Sequence, residues 1–154
     1  MAGDTGGDGT GAAADARVRE SFAKQAFMGL LGARLARVSP GEVDIELPFR
    51  GDLVQQHGYL HAGVTTAIAD SACGYAALSL MPADAAVLSV EYKVNLLAPA
   101  IGSRFLALGR VIKSGRTVTV VRGEVLAFTE QGEASQVLVM QGTMIAATGR
   151  GIAG

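Results

Sequence analysis

Residues 61–81, HAGVTTAIADSACGYAALSLM, form a long stretch of mainly small and apolar side chains in which Asp70 carries the one formal charge. The stretch is long enough for a helix that crosses a membrane. However, Ala, Gly, Ser and Thr outnumber the large apolar residues, and an acid lies near the centre. This pattern is typical of a helix buried inside a folded domain. We therefore predict one long buried helix over 61–81, closely wrapped by a sheet, and no membrane insertion.

Segments on both sides of this helix show the alternation of half-buried β-strands. Before it, residues 34–38 and 42–47 flank a Ser-Pro-Gly turn, which predicts a hairpin. After it, four segments separated by turn residues have strand patterns: 88–95, 105–112, 117–128 and 137–147. Because short turns join successive strands in antiparallel order, we predict a meander. The predicted fold class is α+β, with a curved antiparallel sheet wrapped around a long central helix.

The N-terminal residues differ in composition from the rest of the chain. Residues 1–14 are rich in Gly and Ala, lack the basic and apolar regions of a secretory signal, and predict a flexible tail. Val18, Phe22 and Ala26 then recur at helical spacing, which predicts an amphipathic helix over about 15–29. Since no internal repeat or second domain is recognisable, we assign residues 15–150 to a single domain.

Charge and cysteine content bear on the class of function. The 154-residue chain is 49% hydrophobic, which is sufficient for one domain with a proper core. Its net charge of −1 gives no electrostatic reason to expect nucleic acid as a partner. Cys73 is the single cysteine, so no intrachain disulfide can form, and we expect a cytoplasmic protein with a buried thiol at this position.

The segment QQHGYLHAG (55–63), together with Asp70, is the densest group of residues suited to chemistry. If the helix begins near His61, its first N–H groups lack partners within the helix and, with the helix dipole, stabilise an oxyanion at that end. Asp70 lies two turns beyond Gly63, about 10 Å along the axis, which is too far for one substrate atom to contact both. We therefore predict a homodimer with sites at the interface. Asp70 is either a general base or nucleophile, or a structural acid bonded to Ser or Thr hydroxyls.

Three stretches of the sequence resemble the hotdog-fold thioesterases of the PaaI-like branch: LVQQHGYLHAGVTTAIADSACGYAA, VLSVEYKVNLLAPA and GRVIKSGRTVTVVRGEVLA. That branch has a helix-opening motif close to H-G-G with an Asp seven residues after its second glycine, followed by a V-S-V strand and a Gly-basic-Ser/Thr turn. The resemblance covers about residues 30–147. It implies the hotdog fold and an acyl-CoA thioesterase that hydrolyses a fatty-acyl or aryl-acyl thioester with water. It also implies a homodimer, alone or paired into a homotetramer, and no metal or other cofactor.

The resemblance implies roles for the residues at the start and in the middle of the helix. Asp70 matches the catalytic acid, which activates water or attacks the thioester carbon. His61 matches the motif histidine, and the backbone N–H of Ala62 or Gly63 matches the oxyanion donor. Ala62 replaces the first glycine of the motif, a change that an N–H donor tolerates.

Further matches lie outside the helix. Gln55 stands where many members have an Asn that polarises the thioester carbonyl, with Gln56 as the other candidate. Ser89 matches a position where some members have a hydroxyl that orients water. Among the basic residues near predicted strand ends, we select Lys113 and Arg116 as candidates for binding the phosphates of coenzyme A; the alternative is an ordinary solvated strand edge.

Other chemistries fit the sequence less well. His57 and His61 have a spacing compatible with zinc, but no third ligand is evident nearby. Cys73 has no following His that would activate it as a nucleophile. Two alternatives have the same fold. The first is an acyl-CoA-binding module without catalysis, which the presence of Asp70 disfavours. The second is a hydroxyacyl-thioester dehydratase, but His61 and Asp70 do not reproduce the usual arrangement of His and acid in those enzymes.

Overall fold

The computed structural model describes residues 7–149 and 151. Its six strands form one antiparallel, curved sheet. The strands are β1 (Arg34–Ser39), β2 (Glu42–Pro48), β3 (Ala86–Leu96), β4 (Arg104–Ser114), β5 (Val118–Phe128) and β6 (Ala134–Ala147). The predicted hairpin of β1 and β2 and all four later strands are present, and the α+β fold class is confirmed.

The N-terminal helix differs from its prediction. Helix α1 runs over Gly7–Lys24, and a second helix, α2, over Ala26–Leu31, so the helix begins earlier and is interrupted at Gln25. Within the predicted flexible tail 1–14, residues 7–14 are helical, and residues 1–6 lie outside the described residues. The side chain of Arg17 donates hydrogen bonds to the carbonyl oxygens of Met81 (3.0 Å) and Ala85, past the end of the central helix, and so ties α1 to the domain.

The order of strands in the sheet is β1-β2-β4-β5-β6-β3, so the predicted simple meander is wrong for β3. Strands β4, β5 and β6 follow one another, but β3 pairs with β6 at the far edge. The connection from β3 to β4 crosses the ends of the other strands: Leu97 N–H donates to Val137 of β6, and Ser103 N–H to Phe128 of β5. Pro and Gly mark such a crossing in the sequence just as they mark a hairpin turn.

The central helix, α3, runs over Ala62–Leu78 and is buried along most of its length, as predicted. Two glycines that face each other across β4 and β5 allow it to lie close to the sheet. A Cβ at Gly109 would lie 2.2 Å from the carbonyl carbon of Ala72, and a Cβ at Gly123 would lie 2.9 Å from Cys73 Sγ. No helix among the described residues is long and apolar enough to cross a membrane.

Candidate active site

Asp70 lies halfway along α3 and faces a cavity of about 360 Å³ bounded by α1, α3 and β3. The Ser89 hydroxyl of β3 donates a 2.8 Å hydrogen bond to Asp70 Oδ1. The structure therefore brings two of the predicted site residues together. It also places Asp70 next to a hydroxyl, which was the arrangement expected for a structural role.

A β-bulge turns Ser89 toward the helix. Ser89 pairs with Met144 of β6, but Tyr92 pairs with Gly142, so Val90 is the extra residue. Met144 and Gly142 both face the buried side of the sheet, and cross-strand partners share a face. The strict alternation expected over 88–95 is thus broken at Val90. Because of the bulge, Ser89 shares the inner face with Tyr92 and the later even-numbered residues.

Burial raises the pKa of the Asp70 carboxyl above its ordinary value, and the hydrogen bond from Ser89 opposes that rise. A carboxylate with a raised pKa is a stronger base than an exposed one. One turn away, burial and then the neighbouring Asp70 charge raise the pKa of the Cys73 thiol to about 12. The prediction of a buried thiol at Cys73 is confirmed. At neutral pH this thiol stays protonated and unreactive.

At the N-terminus of α3, one backbone N–H group has no hydrogen-bond acceptor among the described residues. His61 caps the helix: its Nδ1 accepts a 2.8 Å hydrogen bond from Gly63 N–H, and its carbonyl accepts from Val64 and Thr65. Within the described part of the chain, Ala62 N–H has no acceptor. Of the two candidate oxyanion donors, Ala62 is therefore the one whose N–H is available, since the His61 ring already holds that of Gly63.

Gln55 lies in a second cavity of about 490 Å³, which Ala62 and Leu96 also line. The Gln55 side-chain oxygen accepts a hydrogen bond from His57 N–H, which fixes the amide within its own turn. That contact leaves the amide nitrogen without an acceptor among residues 7–149. Gln56 is exposed and lines neither cavity.

The structure keeps the two halves of the predicted site apart. Asp70 and Ser89 line one cavity, whereas Gln55 and Ala62 line the other, and neither of these two cavities contains both sets.

The other predicted groups lie at the surface. Lys113 and Arg116 are exposed around the β4–β5 turn, and neither forms an ion pair with another described residue. The turn lies at the same end of the sheet as Ser89, because Val118 pairs with Ile145 and Ile145 with Leu88. In the part of the chain that the structure describes, no three His, Cys, Asp or Glu side chains are grouped to hold a metal ion.

Sequence reasoning missed several residues that line the Asp70 cavity. Gln25, Gly74 and Tyr75 all contribute to its wall. Nothing in the sequence indicated a role for Gln25, because the helical pattern of apolar residues continues through this position. Gly74 and Tyr75 had a weak signal, as they lie one turn beyond Asp70 and Ser71 on the same helix.

Comparison with proteins of known structure identifies the architecture as the hotdog fold. A thioesterase family protein from Silicibacter pomeroyi is 48% identical, with a TM-score of 0.86 over 88% of this chain and 99% of the other. The PaaI protein of E. coli, from the phenylacetic acid degradation operon, superposes with a TM-score of 0.80 over 91% of this chain and 97% of its own. Its identity is 18%, so this likeness supports the fold alone.

Sequence comparison defines the family. The model of the thioesterase superfamily matches residues 57–134. A Saccharolobus solfataricus protein provisionally named an esterase is 30% identical over 108 residues, which are 70% of this chain and 76% of the relative. The chain belongs to the thioesterase superfamily, and its general activity is the hydrolysis of thioesters. The predicted family resemblance is confirmed.

Proposed function

We propose that the protein is an acyl-CoA thioesterase whose catalytic group is Asp70, acting with the N-terminus of α3 from a second copy of the chain. The observation that carries this proposal is the half-buried Asp70 carboxylate, which has a raised pKa and faces a cavity. An acid in such a setting costs folding free energy, and residues of this kind are concentrated at functional sites.

The exposed edge of β3 supports a two-chain site. The opposite edge strand, β1, carries Arg34 and Arg37 in ion pairs, which discourage pairing with another sheet. In contrast, β3 is 11 residues long, and its apolar side chains Val90 and Leu96 are 56% and 57% exposed. A long apolar edge of this kind favours pairing with a second copy.

Two-fold symmetry determines what such pairing brings together. When two copies of β3 pair antiparallel, the start of one strand lies opposite the end of the other. Ser89 is near the start of β3, beside Asp70, and Leu96 is at its end, in the cavity of Gln55 and Ala62. Each Asp70 then faces the helix N-terminus of the partner, and the dimer has two identical sites.

In the proposed reaction, Ala62 N–H and the Gln55 amide nitrogen donate to the thioester oxygen as it becomes an oxyanion. Asp70 either removes a proton from the attacking water and returns it to the sulfur of coenzyme A as the C–S bond breaks, or attacks the thioester carbon itself. Direct attack displaces coenzyme A as a thiolate and forms an anhydride with Asp70, and water then hydrolyses this anhydride and supplies the proton that the thiolate takes up. Ser89 donates to one carboxylate oxygen of Asp70, and the other, to which no described residue donates, can face the water or the thioester carbon. No metal or redox cofactor takes part.

The exposed cations Lys113 and Arg116 are proposed to bind the phosphates of coenzyme A. They have no ion-pair partner among the described residues, so their charge is available to a ligand. By comparison, Arg110, on the same strand as Lys113, already pairs with Asp44 at 2.5 Å.

A thiol-release assay with acyl-CoA substrates from acetyl to lauroyl and with phenylacetyl-CoA tests the proposal. We expect hydrolysis by the wild type, and a loss of roughly 10²–10⁴-fold in kcat for Asp70→Asn, because the amide is neither a base nor a nucleophile. Glu133→Gln, at an exposed turn, is the matched control and retains full activity. Equal activity of Asp70→Asn and wild type would show that Asp70 is a structural acid.

A further inference from the structure

Gln25 lies at the one break between the two N-terminal helices and contacts the central helix. Its backbone is extended (φ −80°, ψ 92°), and its side chain reaches α3. The amide nitrogen donates to Tyr75 Oη at 3.3 Å, and the amide oxygen accepts from Ser71 Oγ at 3.1 Å. Both ends of the amide are therefore fixed, with Ser71 directly following Asp70 in the helix.

This hydrogen-bonded group closes one side of the Asp70 cavity. Gln25, Ser71 and Tyr75 all line the cavity, together with Ser21 of α1. The Tyr75 ring is itself supported by Phe22, with ring centroids 5.7 Å apart. An alkyl chain that reached this wall would bury the polar atoms of Gln25 and Tyr75 against methylene groups and gain no hydrogen bond in return.

Gly74 creates the open space next to Asp70. Residues 70 and 74 are one helical turn apart and lie on the same face of α3. A Cβ at Gly74 would meet only Val87 Cγ1, at 4.0 Å, which is an ordinary contact. The fold does not require glycine there, yet a side chain at this position would enter the cavity that Asp70 faces.

We infer that the acyl group of the substrate lies over Gly74, between Asp70 and Gln25, and that Gln25 and Gly74 together set its maximum length. This inference rests on the proposed thioesterase function. The cavity of about 360 Å³ is at the small end of ligand sites, and the thioester carbon and water must share it. The preferred substrate therefore carries a short acyl group, and Gln25 is a specificity-determining residue.

The test compares kcat/KM on butyryl-CoA and octanoyl-CoA for four variants. In Gln25→Ala the wall is removed, and we expect the octanoyl-to-butyryl ratio to rise about tenfold, as for two or more newly buried methylene groups. In Gly74→Ala the cavity is narrowed, and the ratio should fall by a similar factor. Tyr75→Phe removes the hydroxyl that holds Gln25 and should raise the ratio less. Gln131→Ala, in an exposed turn, is the control and should leave it unchanged.

Binding of non-hydrolysable butyryl and octanoyl thioether analogues of coenzyme A separates the site from the chemistry. Opposite shifts in relative affinity for Gln25→Ala and Gly74→Ala support the acyl site, even if the wild type hydrolyses no thioester and the proposed function fails. The inference is overturned if the wild type is active but folded Gln25→Ala and Gly74→Ala both keep the wild-type octanoyl-to-butyryl ratio of kcat/KM, because the acyl group then lies elsewhere. A Cβ at Gly74 contacts Val87 of β3 and no residue of α1. If Gln25→Ala acted only by loosening α1, Gly74→Ala would therefore not shift the relative affinity in the opposite direction.

Discussion

Ser89 and Asp70 are 19 residues apart in the chain, yet the Ser89 hydroxyl donates to Asp70 Oδ1 at 2.8 Å, across the interface between β3 and α3. The contact depends on the bulge at Val90, which places Ser89 on the inner face of the sheet. It stabilises the ionised carboxylate, whereas burial destabilises it. Burial is the larger of the two effects, so the helix holds an acid that is a better base than a solvated one.

The raised pKa predicts that Asp70→Asn stabilises the fold, increasingly at higher pH. An acid whose pKa is higher in the folded than in the unfolded state binds protons more tightly when folded. Its favourable contribution is present below the unfolded pKa and is lost as the pH rises through the folded pKa. The difference in free energy of unfolding between variant and wild type should therefore grow from pH 4 to pH 7. Urea unfolding at both pH values measures it, and a constant difference would contradict the burial argument.

Ser89→Ala should move the acid limb of the activity profile to higher pH. The hydrogen bond from Ser89 lowers the pKa of Asp70, so its removal raises that pKa further, and a larger fraction of the enzyme is protonated and inactive at a given acidic pH. Profiles of kcat/KM against pH for wild type, Ser89→Ala and Ser89→Thr check this, because Thr retains the hydroxyl. An unshifted limb in Ser89→Ala, with lowered kcat, would mean that Ser89 acts on the water or substrate rather than on Asp70.

The sequence predicted the elements of the fold better than their arrangement. The buried helix and every strand followed from local patterns of small, apolar and turn residues. The position of β3 did not, because Leu97–Ser103 has the turn residues of a hairpin, whereas its hydrogen bonds to Val137 and Phe128 carry the chain across the sheet. Such long-range pairing leaves no mark in a local pattern.

The candidate site was predictable in its residues but not in its geometry. Asp70 was a candidate because it is an isolated acid in an apolar segment, and the family resemblance predicted Ser89 and Gln55. The bulge that joins Ser89 to Asp70 could not be foreseen, because residues 88–95 alternate regularly in the sequence. Gln25 was equally hidden, since its contacts lie 46 and 50 residues away on α3.

Replacing Gln55 should lower kcat through the loss of an amide donor. An interaction made mainly in the transition state affects kcat and kcat/KM together, and a principal oxyanion donor is worth roughly 2.7–4 kcal/mol. We expect less than this for Gln55→Ala, because in the proposed site Ala62 N–H also donates to the oxyanion. Gln56→Ala, at the exposed neighbour, should have no effect.

Gln55→Glu separates donation from loop structure. The carboxylate retains an oxygen for His57 N–H, so the turn is preserved, but it has no hydrogen to donate and adds negative charge beside the oxyanion. Its kcat should therefore be lower than that of Gln55→Ala. A Gln55→Glu variant with wild-type kcat would restrict Gln55 to holding the turn, and an effect confined to Gln56→Ala would assign the carbonyl contact to Gln56.

Charging the β3 edge should dissociate the proposed dimer. Val90 is an exposed apolar residue on this strand that lines neither the Asp70 cavity nor the Gln55 cavity, and lysine on an edge strand opposes pairing with another sheet. Light scattering at micromolar concentration should give at least a dimer for the wild type and a monomer for Val90→Lys. The monomer should be folded and inactive, although Asp70 and Gln55 are both unchanged. A fully active monomer would refute the two-chain site.

Mixing two defective variants tests the composition of the site most directly. In a dimer of one Asp70→Asn chain and one Gln55→Glu chain, one site combines both altered residues, and the other combines the intact Asp70 of one chain with the intact Gln55 of its partner. Random exchange makes half of the dimers mixed, so about a quarter of the wild-type activity should return from two parents of low activity. Tags of different mass on the two chains verify that mixed dimers form. If they form without recovered activity, Asp70 and Gln55 of the same chain serve the same site. In that case a movement within one subunit, rather than pairing along β3, must bring the two cavities together.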